Sequence, residues 1–413
     1  MKRLWIFGIL AIICGVGTSC SKLWPEREWR DKESGYDNVF IHFSLGYNNL
    51  TSYLEGNIDE MCSGAVPGRH DGDVVLVLSH TTARAYDYKT PNRPCLYRVY
   101  KENGKVVRDT LIRYYEKSIS ATAGMLSSVL TYVKNEFPSK SYGLDFTSHG
   151  TGWLPEGYDY DPEGDGNVSY SSLSARSFPK EPLTKSAGMY ATYDIFENLL
   201  FYGIEIDDFA RAIPMHLDYI IFDACLMGCV EVAYQLKDVC DRIVLSPTEV
   251  IARGFDYTNI LEHLFNSSGP DLEGVAEDYF KKYSENSYAS VCIVDCSGMG
   301  NLADVCSGII DSHRSAFRTI DRSKVQKLFY DDKKWYYDLR DIAVNLGAGG
   351  EELARLDDAL DRCILYEKHT KKFFQLKLEN VCGLSMYIPI ASSTKLNTFY
   401  RRLAWNKASG LVI

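Results

Sequence analysis

Asp218-Tyr219-Ile220-Ile221-Phe222-Asp223-Ala224-Cys225-Leu226-Met227-Gly228 is the stretch on which the rest of the chain turns. The apolar run 219–222 gives way to small and polar residues, and Val230, Val232, Ala233 and Leu236 then recur at helical spacing. This pattern predicts a buried parallel strand feeding a helix, with Cys225 at the joint. Ligands collect at the carboxyl ends of strands in open α/β sheets, and a thiol beside a helix N-terminus has its pKa lowered from about 8.5 into the range of roughly 3.5–7.5. A nucleophile belongs at such a place, although a small buried hydrophobe also fits it.

A nucleophilic thiol needs a proton acceptor and a site for the developing negative charge. Both are on offer in Tyr142-Gly143-Leu144-Asp145-Phe146-Thr147-Ser148-His149-Gly150-Thr151-Gly152-Trp153. Another short strand ends there at a His, followed by a Gly whose unhindered N–H is free to meet an oxyanion. A lone His is usually a satisfied polar residue; two strand ends carrying His and Cys together point to chemistry.

The chain resembles the clostripain family of cysteine peptidases, in the clan of caspases, legumains and gingipains. The likeness rests on Ser148-His149-Gly150-Thr151-Gly152-Trp153 and on Phe222-Asp223-Ala224-Cys225-Leu226-Met227-Gly228, with His ahead of Cys. Supporting matches are Gly46-Tyr47-Asn48-Asn49-Leu50, Gly254-Phe255-Asp256-Tyr257, Asp338-Leu339 and Gly383-Leu384-Ser385-Met386-Tyr387-Ile388-Pro389, so it spans about residues 36–390. The resemblance implies a caspase-like three-layer αβα sandwich with a smaller, mainly helical C-terminal domain. It implies Cys225 as nucleophile, His149 as general base and acid, and the N–H groups of Gly150 and Cys225 as oxyanion hole.

The 413 residues exceed one ordinary core. With 46% hydrophobic and 24% charged residues the chain is globular, and a net charge of −10 without basic stripes argues against nucleic acid as partner. Residues 1–20 read as a secretory signal: Met1-Lys2-Arg3, an apolar run 4–16, then Gly17-Thr18-Ser19-Cys20. The small residues before Cys20 resemble a bacterial lipobox, which would make Cys20 a lipidated first residue, followed by a tether over 21–37 that holds the protein off the envelope membrane. Gly17 departs from the usual Leu, so plain secretion stays open. Of the 12 cysteines, those left after Cys14, Cys20 and Cys225 are odd in number and lack any Cys-x-x-Cys, so most are expected to be small buried hydrophobes.

Strand-like runs at 39–45, 74–78, 142–147, 218–222, 242–245 and 290–294 alternate with amphipathic segments such as 119–137 and 206–213. That alternation predicts a mostly parallel, doubly wound α/β sheet. Asn103-Gly104 between the runs 96–100 and 105–114 marks a hairpin at an edge. The catalytic domain is expected over 38–295 and a C-terminal domain over 296–413. In the latter, helices are expected at 299–317, 323–328, 351–366 and 395–405, with a strand pair at 373–378 and 383–388.

Residues 155–188 are polar and rich in Gly, Ser and Pro, as a functional loop is. Asp159, Asp161, Glu163, Asp165 and Asn167 cluster oxygens there, without EF-hand spacing, so calcium and a solvated acidic turn both remain readings, and no other metal or cofactor is expected. Relatives often cut themselves between the two motifs, which makes Arg176, Lys180 and Lys185 candidates for self-processing.

The function expected from all this is a monomeric endopeptidase acting on peptides or proteins through a Cys–His dyad. The alternative is an inactive surface lipoprotein that uses the same groove to bind peptides or glycans, and retention of both His149 and Cys225 weighs against it. Specificity has two readings. Either Asp223 and Glu249 shape a pocket for a basic P1 side chain while Arg253 points to solvent, or Arg253 lines the pocket and favours acidic or uncharged P1. The first is preferred, because exposure is the commoner fate of Arg. Asp223 also fits a purely local role as cap of the following helix.

Overall fold

The structure is a computed structural model that describes residues 35–83, 92–115, 118–158, 185, 190–193, 199–330 and 334–413. The residues expected to form the leader, Cys20 and nearly all of the tether lie outside them, as do Arg176, Lys180 and the acidic cluster 159–167.

Runs of β-branched and aromatic residues form a nine-stranded sheet. Its strands, together with the peripheral pair β6/β7 and the short β11 that pairs with Ser385–Met386, are numbered in chain order as β1 Tyr36–Gly46, β2 Asp73–Thr81, β3 Cys95–Glu102, β4 Lys105–Arg113, β5 Ser139–Thr147, β6 Tyr190–Tyr193, β7 Leu199–Tyr202, β8 Leu217–Asp223, β9 Cys240–Leu245, β10 Ser290–Asp295, β11 Tyr337–Asp338 and β12 Ile364–His369. The order across the large sheet is β12-β10-β9-β8-β5-β1-β2-β3-β4. Its middle, β9-β8-β5-β1-β2, is parallel, and each flank ends in antiparallel strands. Helices Thr51–Ser63, Ala123–Glu136, Val230–Leu236, Leu272–Ser284 and Met299–Ser312 turn apolar residues inward. Central strands covered on both faces need near-continuous apolar sequence, which is what Val74 to Leu78 supplies. The mostly parallel sheet flanked by helices is thus the fold anticipated, and the Asn103-Gly104 turn joins β3 to β4 with both residues at positive φ.

The segments expected to pair at 373–378 and 383–388 do not pair with each other: Lys372–Phe373 pairs with Leu376–Lys377, and Ser385–Met386 pairs with Tyr337–Asp338. The helix expected over 395–405 breaks into Thr394–Tyr400 and Ala404–Ser409, and two further expected helices differ in kind. The one expected over 351–366 ends at Cys363, and the alternating Ile364–His369 becomes edge strand β12, antiparallel to β10. A periodicity count cannot see that this segment has a sheet edge waiting for it. No helix forms over 323–328. Asp321 accepts from the backbone N–H of Ser323 at 3.1 Å and from its hydroxyl at 2.6 Å, and Asp341 takes the N–H of Gln326 at 2.6 Å, so side chains hold the donors a helix would use.

The C-terminal segments dock directly on the Cys225 turn and the helix behind it. Ser385 N–H donates to the Gly228 carbonyl at 2.9 Å, and the rings of Tyr387 and Tyr400 pack on Trp153 at 5.0 and 4.8 Å. Glu231, fully buried in helix Val230–Leu236, accepts from Tyr387 N–H at 3.0 Å and Tyr400 O–H at 2.6 Å. The ten described cysteines are all free thiols, most of them buried. No helix among the described residues is long and apolar enough to cross a membrane.

Burial pushes the Glu231 carboxyl up from 4.5 to about 7, against the opposing pull of its two hydrogen bonds. Between those values the unfolded chain releases a proton that the folded protein keeps, so this group removes stability as pH rises through the window. Glu231→Gln keeps both acceptor contacts and cannot ionise. Its urea-derived stability relative to the parent is expected to gain roughly 2 kcal/mol from pH 5 to pH 8; a difference constant with pH would show that the carboxyl titrates normally.

Candidate active site

The carboxyl ends of β1, β5 and β8 meet where the chain leaves β1 for one side of the sheet and later fills the other, the position at which open α/β sheets form a crevice. Pairing sets the alignment. Thr147 faces Asp223 across β5 and β8, so His149 and Cys225 each stand two residues beyond a matched pair. The loops then approach so closely that a Cβ on Gly150 would lie 2.4 Å from the Cys225 carbonyl oxygen and 2.9 Å from its nitrogen; only glycine fits. Leu226 takes a positive φ of 61°, and its N–H donates to Thr248 O at 2.9 Å, which pins the turn after the cysteine to the segment 246–250. Cys225 Sγ receives the N–H of Val250 at 3.0 Å and lies 3.5 Å from that residue's carbonyl oxygen.

After β1 the chain turns tightly, with Leu50 N–H bound to Asn48 Oδ1 at 2.9 Å, and this presents Asn49 Oδ1 2.7 Å from His149 Nε2. An amide oxygen only accepts, so Nε2 holds the ring proton and Nδ1 keeps the lone pair, the tautomer a general base requires.

Lys185 lies across these groups, fully buried. Its N–H donates to Val250 O at 2.7 Å, and its carbonyl oxygen accepts from Gly150 N–H at 3.1 Å. Its ammonium donates to Thr147 Oγ1 at 2.9 Å, to the Asp223 backbone oxygen at 3.2 Å and to Asp223 Oδ2. Asp223 Oδ2 is also 2.8 Å from the Tyr257 hydroxyl, itself 2.9 Å from Asp145 Oδ2, which binds His42 at 2.7 Å. Burial, then the two carboxylates, raise the Tyr257 pKa far above its ordinary value, so the phenol keeps its proton. A Cβ at Gly254, whose φ is +68°, would strike Asp223 Oδ2 at 2.1 Å.

Of the residues proposed to bind substrate, Asp223 therefore sits against an ammonium in a closed pocket. Glu249 does not share that pocket contact: it is buried with Oε1 on the Tyr330 N–H at 2.9 Å. Arg253 is exposed. Sequence reasoning passed over Thr147 and Tyr257 as pocket walls and Asn49 as the partner of His149. It named Lys185 as one of three basic candidates for self-processing but not as the partner of Asp223, because pairing with residues so distant leaves no local trace. The carboxylates close enough to share a cation, among the described residues, are Glu205, Asp207 and Asp208, and Arg211 already binds the latter two.

The model of the clostripain family matches residues 42–165 and 189–389. Among solved structures, an inactive zymogen C11 protease from Parabacteroides distasonis is 24% identical with a TM-score of 0.73, covering 92% of this chain and 99% of its own. A secreted C11 cysteine protease from Bacteroides thetaiotaomicron in complex with an irreversible peptide inhibitor is 21% identical with a TM-score of 0.69, covering 91% and 99%. The structure named iotapain, also a secreted C11 cysteine protease from Bacteroides thetaiotaomicron, is 25% identical with a TM-score of 0.68 over the same shares. At these identities the first two speak for the fold. No curated protein matches the sequence.

Burial of the Lys185 ammonium against Asp223 predicts chemical protection. In Cys225→Ala protein treated briefly with an amine-acetylating reagent, Lys185 is expected to label at least tenfold more slowly than exposed Lys140, read by peptide mass mapping. Equal labelling would mean that the segment does not occupy the pocket.

Proposed function

The chain belongs to the clostripain family of cysteine peptidases, and we propose on that basis that it is an endopeptidase, specific for basic P1 residues, made as a precursor that cuts itself after Lys185. The observation that carries this reading is the posture of Lys185. Its backbone is bound on both sides as a P1 residue would be, its carbonyl oxygen rests on a donor suited to an oxyanion, and its charged end reaches a buried carboxylate.

In the proposed reaction the Cys225 sulfur, its proton passed to His149 Nδ1, attacks the P1 carbonyl carbon. The negative charge that develops on the carbonyl oxygen is met by the N–H of Gly150 and of Cys225. His149 returns the proton to the leaving nitrogen as the C–N bond breaks, which leaves a thioester on Cys225. Water, deprotonated by His149, then releases the new carboxylate. Asn49 is a positioning residue that holds the imidazole by Nε2.

Asp223 supplies the basic preference, with Thr147 and Tyr257 orienting its carboxylate; Asp223 Oδ1, which has no partner among the described residues, offers a second acceptor for an Arg fork. In this reading neither Glu249, whose Oε1 holds the Tyr330 N–H, nor exposed Arg253 supplies the preference. Export through the N-terminal leader, with a lipid on Cys20, remains part of the proposal.

Two outcomes test the reading. Purified wild type is expected to run as two fragments whose junction maps between Lys185 and Ser186, while Cys225→Ala and His149→Ala stay whole; an intact wild type, or cleavage in Cys225→Ala, would overturn it. Asp223→Asn is expected to lower kcat/KM for Lys and Arg P1 substrates by about 100-fold, through loss of a charge-assisted contact in a desolvated pocket, and to narrow their advantage over Leu. An unchanged P1 profile in that variant would place the specificity elsewhere.

A further inference from the structure

A cleft opens directly beside His149 and Gly150, and the P1 pocket does not account for it. Thr147 and Asp223 side chains lie at the P1 pocket, so the alternate residues Phe146, Phe222 and Ala224 fall on the opposite face of the same strand ends, and these line the cleft. Phe209 closes its floor, with ring centroids 5.1 Å from Phe146 and 5.5 Å from Phe222.

The rim is acidic. Glu156 and Glu205 line the cleft, and Glu205 lies beside Asp207 and Asp208. Among the described residues, Arg402, 3.4 Å from Glu205, and Arg211 are the cations bound to this cluster.

The direction of the substrate follows from the backbone bonds already described, so this inference rests on the peptidase reading. Lys185 N–H binds Val250, which puts the residues before the cut on the Val250 side. His149 must stand beside the departing nitrogen, and the cleft is lined by residues 148–152 and by neither Val250 nor Asp223. We propose that this cleft is the leaving-side subsite of the peptidase, which takes an apolar P1′ side chain on the aromatic floor and a basic residue next to it against Glu156 and Glu205. The side chains after the cut thereby contribute to selection alongside the P1 pocket. Burial raises the pKa of both glutamates, so a cationic partner that favours their ionised form is the complementary ligand.

Peptides identical up to a P1 Lys and continuing Leu-Lys, Leu-Gln, Leu-Glu or Gly-Lys test this on the self-processed enzyme, with cut sites assigned by mass spectrometry. A Lys coumarin amide, which has no residue past the cut, serves as each variant's own reference. Leu-Lys is expected to be cut about tenfold faster than Leu-Glu and than Gly-Lys, with the charge preference shrinking in high salt. In Glu156→Gln/Glu205→Gln, or in Glu156→Gln alone if the double variant does not fold, the ratio of Leu-Lys to Leu-Glu is expected to fall toward one. Equal rates for all four peptides from an enzyme that hydrolyses the coumarin amide would overturn the subsite and leave the peptidase standing. Failure on the coumarin amide and on every peptide would remove the peptidase and the subsite with it.

Discussion

The parallel pairing of β5 with β8 is the constraint on which the site depends. Because Thr147 and Asp223 are paired, every residue beyond them is delivered in step, and two loops remote in sequence meet at the same height above the sheet. A slip of β8 by one residue against β5 would turn Asp223 to the opposite face and bring Phe222 to the side it now occupies. The apolar residues of both strands are buried on both faces, so such a slip would also put charge into the core. Packing of the sheet thereby fixes the geometry of groups that themselves pack poorly.

A buried Lys–Asp pair needs both partners. Removing one from such a pair typically costs about 3–5 kcal/mol, because the other charge is left without compensation in a dry site. Asp223 is surrounded by Thr147, Tyr257 and the close backbone of Gly254, with Lys185 as its cation. A pocket built this way keeps a standing demand for a cation, which the chain's own Lys185 meets here.

The far side of the same turn is held by the C-terminal segments. Ser385 on Gly228, and Tyr387 and Tyr400 on Glu231, tie the start of helix Val230–Leu236 to residues more than 150 positions away. Trp153, four residues past His149, packs on the same two tyrosines. One aromatic and carboxyl cluster thus supports both loops from behind.

Much of this was legible before any coordinates. The apolar runs ending in Ser148-His149-Gly150 and Asp223-Ala224-Cys225 declared strands, their carboxyl ends and the candidate chemistry, because burial on both faces and tight turns demand particular residues at particular places. Local pattern is silent wherever a partner is distant. Strand β12 was hidden in a helical periodicity until β10 offered an edge, and the would-be helix at 323–328 yielded to Asp321 and Asp341. Glu249 and Asp223 looked alike as carboxylates near the cysteine, and only tertiary structure gave one to a backbone N–H and the other to an ammonium. Sequence alone determined which strands are buried and which residues stand at their ends; the three-dimensional fold decided which charges meet, since a desolvated carboxylate takes its nearest donor in space and not along the chain.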